Sequence, residues 1–459
     1  MIGTLLLILI FIYLYNFYKN VKSLPPGPMP LPLIGNLYSI DMKKLHFWIF
    51  DQKKTYGSVY TIWIPTPQVV FADYDTCKES LVTNGDNFIG RNDGFPEKSF
   101  HEIPNIGVIM SEGDAWRDQR RLSIQILRNF GMSRTIIEDK IHLVIGTIME
   151  HIESYQDQNT INIGKIIHLG VGNVINSILF GFMYNHKESE NFYNFAHTLD
   201  ETIKLNGTLE FKLLSLFPNI DKIPILNTLL YKRIMKAQRF LRHMNNIEIE
   251  KCKKTYKSDD EPPNFVHAVM KEIEKIDSRY SYLNSDHLQG MVLDFWIAGM
   301  ETSTTTLKWF ILLIMKHLDI QDKLHKEIDE VLGREQLPVL ADRINMPYMS
   351  AFITEGQRYI NMVPFVPSHK CTKDTIIGGH LIKAGTLTQP FFWGANYDEK
   401  YFKDPFVFNP DRFLENNILK VEYEHMAFGK GKRVCAGKSL ADAEIFLFFT
   451  ALLQKYKFT

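Results

Sequence analysis

The sequence predicts a mainly α-helical body with small β-sheets, built as one large unit behind an N-terminal apolar helix. Three observations carry that prediction. Residues 1–18 are apolar and uncharged. From Trp116 to about Leu332 the apolar side chains recur mostly at helical spacing. Short β-branched and aromatic runs bounded by Gly or Pro occur near residues 59–72 and 376–382. The 459 residues would hold two or three average domains or one large enzyme core. No internal repeat or low-complexity tract follows the proline-rich segment, which favours one body.

Charge and cysteine content narrow the function. Lys plus Arg number 52 and Asp plus Glu 52, so the chain lacks the basic excess of a nucleic-acid binder, and no nucleic-acid partner is expected. The four cysteines, Cys77, Cys252, Cys371 and Cys435, are far apart and form no Cys-x-x-Cys pair. A disulfide framework and a zinc cluster are both disfavoured, and a reducing compartment fits.

As a helix, residues 1–18 span about 27 Å, close to the hydrocarbon thickness of a bilayer. A cleaved signal would carry a basic start and a small-residue cleavage site, and both are missing. Lys19 and Lys22 follow the apolar run, so the positive-inside rule places the rest of the chain in the cytosol and predicts an uncleaved single-pass anchor, with the endoplasmic reticulum as its membrane. Residues 19–35 are basic and then proline-rich, a stiff extended hinge. Residues 36–459 form the predicted catalytic body.

In that body, Val59 to Ile64 and residues 68–72 read as a hairpin with a turn at Pro65-Thr66-Pro67. Loops are expected at 155–159 and 257–263. Residues 208–230 mix apolar side chains with Pro218 and Pro224, which suits either a second membrane-dipping surface or helices joined by a loop. Residues 286–318 read as one long helix on which Asp294, Ala298, Glu301, Thr305 and Lys308 form a polar or small stripe. Gly299 in its interior costs roughly 0.5–1 kcal/mol relative to Ala and calls for a compensating reason, such as a flat cofactor approaching closely. The five hydroxyl residues 302–306 are able to bond back to helix carbonyls and open the helix locally.

The sharpest signal is Phe428-Gly429-Lys430-Gly431-Lys432-Arg433-Val434-Cys435-Ala436-Gly437. Its glycines permit a tight turn before Cys435. Residues 438–453 read as an amphipathic helix, so Cys435 stands at a helix N-terminus, where free amides and the dipole favour a thiolate. A phosphate-loop reading of Gly437-Lys438-Ser439 fails, because Lys432 stands where that motif needs glycine.

That segment resembles the haem-binding signature of the cytochrome P-450 enzymes, the haem-thiolate monooxygenases. Further features follow the family's order: Trp116-Arg117-Asp118-Gln119-Arg120, Ala298-Gly299-Met300-Glu301-Thr302, Glu355-Gly356-Gln357-Arg358, and Phe408-Asn409-Pro410-Asp411-Arg412-Phe413. The resemblance covers essentially the whole chain, and the anchor and hinge resemble the microsomal type. It implies the cytochrome P-450 fold and a haem cofactor with Cys435 as axial metal ligand. Ala298, Gly299, Phe428, Gly429 and Gly437 would surround the haem, and Trp116, Arg120, His369 and Arg433 would meet its propionates. Thr302 would support protonation of iron-bound dioxygen and Glu301 the proton relay. Glu355, Arg358 and Arg412 would form a structural network.

The implied activity is insertion of one atom of O2 into an apolar small-molecule substrate, with NADPH electrons arriving through a flavoprotein reductase. Lys430, Lys432 and Lys438, with Arg117, Arg121 and Arg128, would offer that partner a basic face. The rivals are peroxide rearrangement on the same fold, against which Thr302 and Glu301 argue, and an inactive or merely haem-binding relative. Asn206-Gly207-Thr208 is a glycosylation sequon expected to stay unmodified in the cytosol. Family members normally continue past the Cys435 helix into strands and a hairpin that reaches the distal pocket. A helix from about Gly437 to Tyr456 uses nearly all residues up to Thr459, so a truncated product with an open pocket edge and weak haem retention is expected.

Overall fold

The computed structural model describes residues 2–92, 94–95, 97–130, 135–155, 161–205, 208–217, 222–275, 279–280 and 282–459. The expected loop at 155–159 lies outside these apart from Tyr155, as do Pro218 and the sequon residues Asn206 and Gly207.

The N-terminal helix, Ile2–Lys22, buries none of its side chains. Among the described residues it is the one helix long and apolar enough to cross a membrane. The proline-rich segment that follows is fastened to the body. Thr61 donates its amide to Pro26 O at 2.8 Å and its hydroxyl to Pro25 O at 2.8 Å. Asn36 bridges Pro28 O and the Trp63 amide. Prolines offer carbonyls but no donors, so the segment can only accept from a neighbouring strand edge, and it does.

That strand is β1 (Val59–Ile64), paired antiparallel with β2 (Thr66–Phe71). The register puts Ile64 opposite Thr66 and Pro67 opposite Trp63, so the turn is tighter than the three residues expected. Pro67 is tolerated because β2 meets its other neighbour only from Val69 onward, where no proline is asked to donate. The remaining strands are β3 (Gly90–Arg91), β4 (His369–Lys370), β5 (Thr375–Ile377), β6 (His380–Ile382), β7 (Leu387–Pro390), β8 (Leu414–Glu415) and β9 (Ile418–Leu419). The main sheet runs β1-β2-β7-β4-β3, and β5-β6 and β8-β9 are separate ribbons. The expected strand cluster is thus the β5-β6 hairpin, turned by Gly378 and Gly379 at φ +54° and +81°.

The helical mass holds the core. The central helix Ser285–Lys316 starts on an Asn284–His287 capping box and runs unbroken past all five hydroxyl residues. Thr302, Thr304 and Thr306 do donate to the carbonyls of Ala298, Met300 and Thr302. These bonds add to the helical ones and do not open the helix. The C-terminal helix Lys438–Lys455 buries Phe446, Phe448 and Phe449, with Phe449 stacked on Phe352 at 5.1 Å and met edge-on by Phe310. Beyond that helix, Gln321 bonds both the amide and the carbonyl of Phe458.

Candidate active site

Cys435 is placed by a loop that only glycine can build. Gly429 and Gly431 adopt φ +69° and +72°, and a Cβ on Gly431 would lie 1.7 Å from Leu81 O. The Cys435 amide closes the turn on Phe428 O at 2.9 Å. The helix Lys438–Lys455 begins just beyond, with Gly437 as its N-cap. Cys77, Cys252 and Cys371 are buried elsewhere, and Cys435 is the cysteine whose side chain reaches the central cavity.

That cavity measures about 290 Å³. One wall is the cysteine loop, with Phe428, Gly429, Arg433, Cys435 and Gly437. The opposite wall is the central helix, with Ala298, Gly299 and Thr302. Arg120 and His369 close one end. Trp116 stands behind it, with the Arg433 guanidinium over its ring at 3.9 Å and Arg120 at 5.8 Å. Ten residues expected around a haem therefore line one cavity, and Trp116 is adjacent. Gly299 has a second reason to be glycine: its virtual Cβ would sit 3.0 Å from Ile175 on the neighbouring helix Ile163–Leu179.

Glu301 is not among the cavity-lining side chains. Its carboxylate lies 3.4 Å from His168 Nε2 and accepts from Thr305 at 3.3 Å. A helix turns about 100° per residue, so adjacent Glu301 and Thr302 cannot share a face. Burial raises the Glu301 carboxyl and pushes His168 down to about 4, leaving that imidazole neutral at pH 7.

The cation cluster is short of anions. Burial, then Arg91 and Arg120, push Arg433 down to about 8, and burial lowers Arg91 to about 10. Arg433 spends Nε and Nη2 on Ile89 O and Ser111 O, while its buried Nη1 and the buried Trp116 Nε1 have no partner. Arg120 donates to Val434 O. His369 is buried and lowered well below its usual range, with Nδ1 2.5 Å from Phe88 O. Orphaned donors beside crowded guanidiniums, at the end of an apolar slot, suit a flat group carrying two carboxylates. Burial also pushes the Cys435 thiol up, against the opposing pull of the Gly437 amide and Arg120. The helix N-terminus alone therefore does not create a thiolate here, and a metal cation would have to complete the task.

Sequence reasoning missed three side chains in the cavity. Arg91, on the short edge strand β3, joins the cation cluster. Asp294, noted earlier only as part of a stripe, accepts from the Val108 and Ile109 amides at 2.6 and 2.9 Å and from His101 at 2.7 Å, so it ties the cavity-lining loop to the central helix. Glu444 faces the cavity from the C-terminal helix. No local motif marks any of them, although a carboxylate amid the apolar run 443–453 is a signal for Glu444.

The Cytochrome P450 family profile matches residues 25–459. The chain belongs to the cytochrome P450 family. Cytochrome P450 2C8 of Homo sapiens is 34% identical over 98% of this chain and 92% of its own length. Cytochrome P450 2B19 of Mus musculus is 33% identical over 98% and 90%. Cytochrome P450 2H1 of Gallus gallus is 34% identical over 94% and 87%. The enzyme is thus a cytochrome P450 monooxygenase whose cofactor is haem with an axial thiolate.

The basic face is partly countered in this P450. Lys430 and Lys438 share Glu424, Lys432 approaches Asp86 at 3.5 Å and Arg117 pairs with Asp114. Arg117, Arg121 and Arg128 are exposed along the helix Gly113–Asn129, which Arg120 ties to the cysteine loop.

Proposed function

We propose that this P450 is held in the endoplasmic reticulum membrane by residues 1–18, with its body in the cytosol, and oxygenates an apolar organic substrate using NADPH electrons relayed by a flavoprotein reductase. The observation that carries the reading is the Cys435 thiol facing Ala298, Gly299 and Thr302 across one cavity. Cys435 holds the iron as thiolate, and the haem so ligated supplies the electron donation that favours O–O cleavage, a chemistry no side chain has. Trp116, Arg120, Arg433 and His369 bind and orient the propionates. The Thr302 hydroxyl holds a proton at the cavity wall, and Glu301 with His168 stores protons on the adjacent helix face.

An apolar, uncharged substrate is supported by the distal lining of Val108, Ile109, Phe295, Val363 and Val366. The acid among them, Asp294, is already engaged by two amides and His101. Membrane delivery of such a substrate is supported by exposed Ile223, Ile225 and Leu229, which favour a membrane-dipping surface over a plain helical connection. Docking of an acidic reductase face is supported by the exposed arginines of Gly113–Asn129.

The test joins spectroscopy to turnover. Reduced protein under carbon monoxide should show the red-shifted Soret band of thiolate ligation, lost in Cys435→Ser. Oxygen uptake should depend on reductase and NADPH. Turnover of an organic peroxide without either would favour the rearrangement chemistry, and haem binding without uptake an inactive relative.

A further inference from the structure

Glu444 is a carboxyl group in an apolar place. It sits midway along the C-terminal helix between Ala443 and Ile445, 1% exposed, and its Oε2 accepts from Ser303 of the central helix at 2.6 Å. Its Oε1 is buried without a hydrogen-bond partner. Among the described residues no charged group acts on it: from the central helix it meets the Ser303 hydroxyl, and burial with that one hydrogen bond sets its carboxyl at about 8 against a usual 4.5. A buried carboxylate without a counter-charge would be costly, so the neutral acid is the form that fits at pH 7.

The surroundings suit proton movement. Glu444, Ser303 and Thr302 all line the central cavity. On the other side of the same two hydroxyl residues lies a chamber of about 50 Å³, lined also by Thr306, Gln357 and Ala441. That is room for at least one water with several polar partners. At its far end Gln357 reaches Asp442, a half-buried acid on the C-terminal helix, at 3.5 Å. Glu301, by contrast, is turned towards His168.

We infer that Glu444 is a positioning residue that stores a proton for the Thr302–Ser303 hydroxyl pair and is reloaded through the chamber beside Gln357. This deepens the monooxygenase reading and rests on it. In the step, the Glu444 O–H bond breaks and an O–H bond forms on Ser303 or a cavity water, while the proton already there passes on towards Thr302. A proton arriving through the chamber water restores the acid. No electron moves, and no co-reactant is needed beyond solvent protons.

The test uses full-length, haem-loaded enzyme. Infrared difference spectra of wild type minus Glu444→Gln, taken from about pH 6 to about pH 9, should contain the deuterium-sensitive C=O band of a protonated carboxyl, fading towards the alkaline end. Glu444→Gln should lower product formed per NADPH several-fold and raise peroxide, with a flattened alkaline limb of the pH profile. Ser303→Ala should keep the infrared band and show the same uncoupling, so the inference stays testable if the glutamine variant folds poorly. Absence of the band at neutral pH, or wild-type coupling in Ser303→Ala, overturns it. Carbon monoxide spectra separate the two claims: a wild-type protein lacking the thiolate band sinks the parent reading, while a normal band with normal coupling in both variants sinks this inference alone.

Discussion

Arg412 donates through Nε to Glu355 Oε1 at 3.0 Å, although 57 positions separate the two residues in the chain. The same carboxylate takes both arms of Arg358, at 2.7 and 2.9 Å, and the Asn409 amide at 2.9 Å. Arg358 then bonds Asn396 O and Pro405 O between the rings of Tyr397 and Phe402. Both members of the Glu355–Arg358 pair are fully buried, so their charges survive only because every lone pair and donor is matched. The network fastens the segment 396–412 beneath the cysteine loop.

Removing one partner should therefore be severe. Arg358→Ala leaves Glu355 buried with fewer cations and is expected to cost about 3–5 kcal/mol. Denaturant unfolding of the full-length protein, with haem content measured alongside, checks this. A loss within about 0.5 kcal/mol, the range of ordinary surface changes, would show that the network carries no stability.

Thr302 donates to Ala298 O within its own helix, so its removal should leave the fold intact. Thr302→Ala is expected to consume NADPH at near wild-type rate while diverting electrons to peroxide or water. The ratio of product to peroxide decides between this and a merely structural hydroxyl, for which the ratio would stay unchanged.

Asp294 holds two amides and His101 against the central helix, and Gly107 approaches so closely that an added Cβ would lie 2.3 Å from the carboxylate. Asp294→Ala strands those donors and should destabilise by about 2–4 kcal/mol, at about 1–3 kcal/mol per unsatisfied buried group. Limited proteolysis should open first within 101–109. Protection there equal to wild type would refute the tether.

Glu444 makes stability depend on pH with a definite sign. Its folded carboxyl stands at about 8 and its unfolded one near 4.5, so the folded state binds the extra proton between those values. Stability is thus intact below about pH 4.5 and falls as pH rises towards about 8. Glu444→Gln removes that slope and should gain on wild type between about pH 5 and about pH 8, by roughly 1.4 kcal/mol per pH unit at most. Parallel melting-temperature curves across that window would mean the acid is ionised in the fold.

The anchor is separable from the core. The helix Ile2–Lys22 buries no side chain, so deleting residues 1–18 should leave haem content and melting temperature near wild type. Alkaline carbonate should leave the full-length protein in membranes. Its release into the soluble fraction would remove the anchor assignment.

Much of this was legible in the chain because it depends on local chemistry. Gly429 and Gly431 are required by backbone angles, Cys435 by iron's taste for sulfur, the uncharged run 2–18 by the bilayer, and Glu355–Arg358 by helical spacing. Sequence alone therefore determined the mainly helical class, the cysteine loop and most of the residues around the cavity. Tertiary structure decided what no spacing encodes. It turned Glu301 to His168 and put Glu444 beside Ser303, 141 positions away. It joined Arg91 to Arg120 and Arg433, and it bound the prolines of the hinge to β1. In each case the outcome was set by which distant surface arrived to satisfy a buried charge or an unpaired carbonyl, and such partners exist only once the chain has packed.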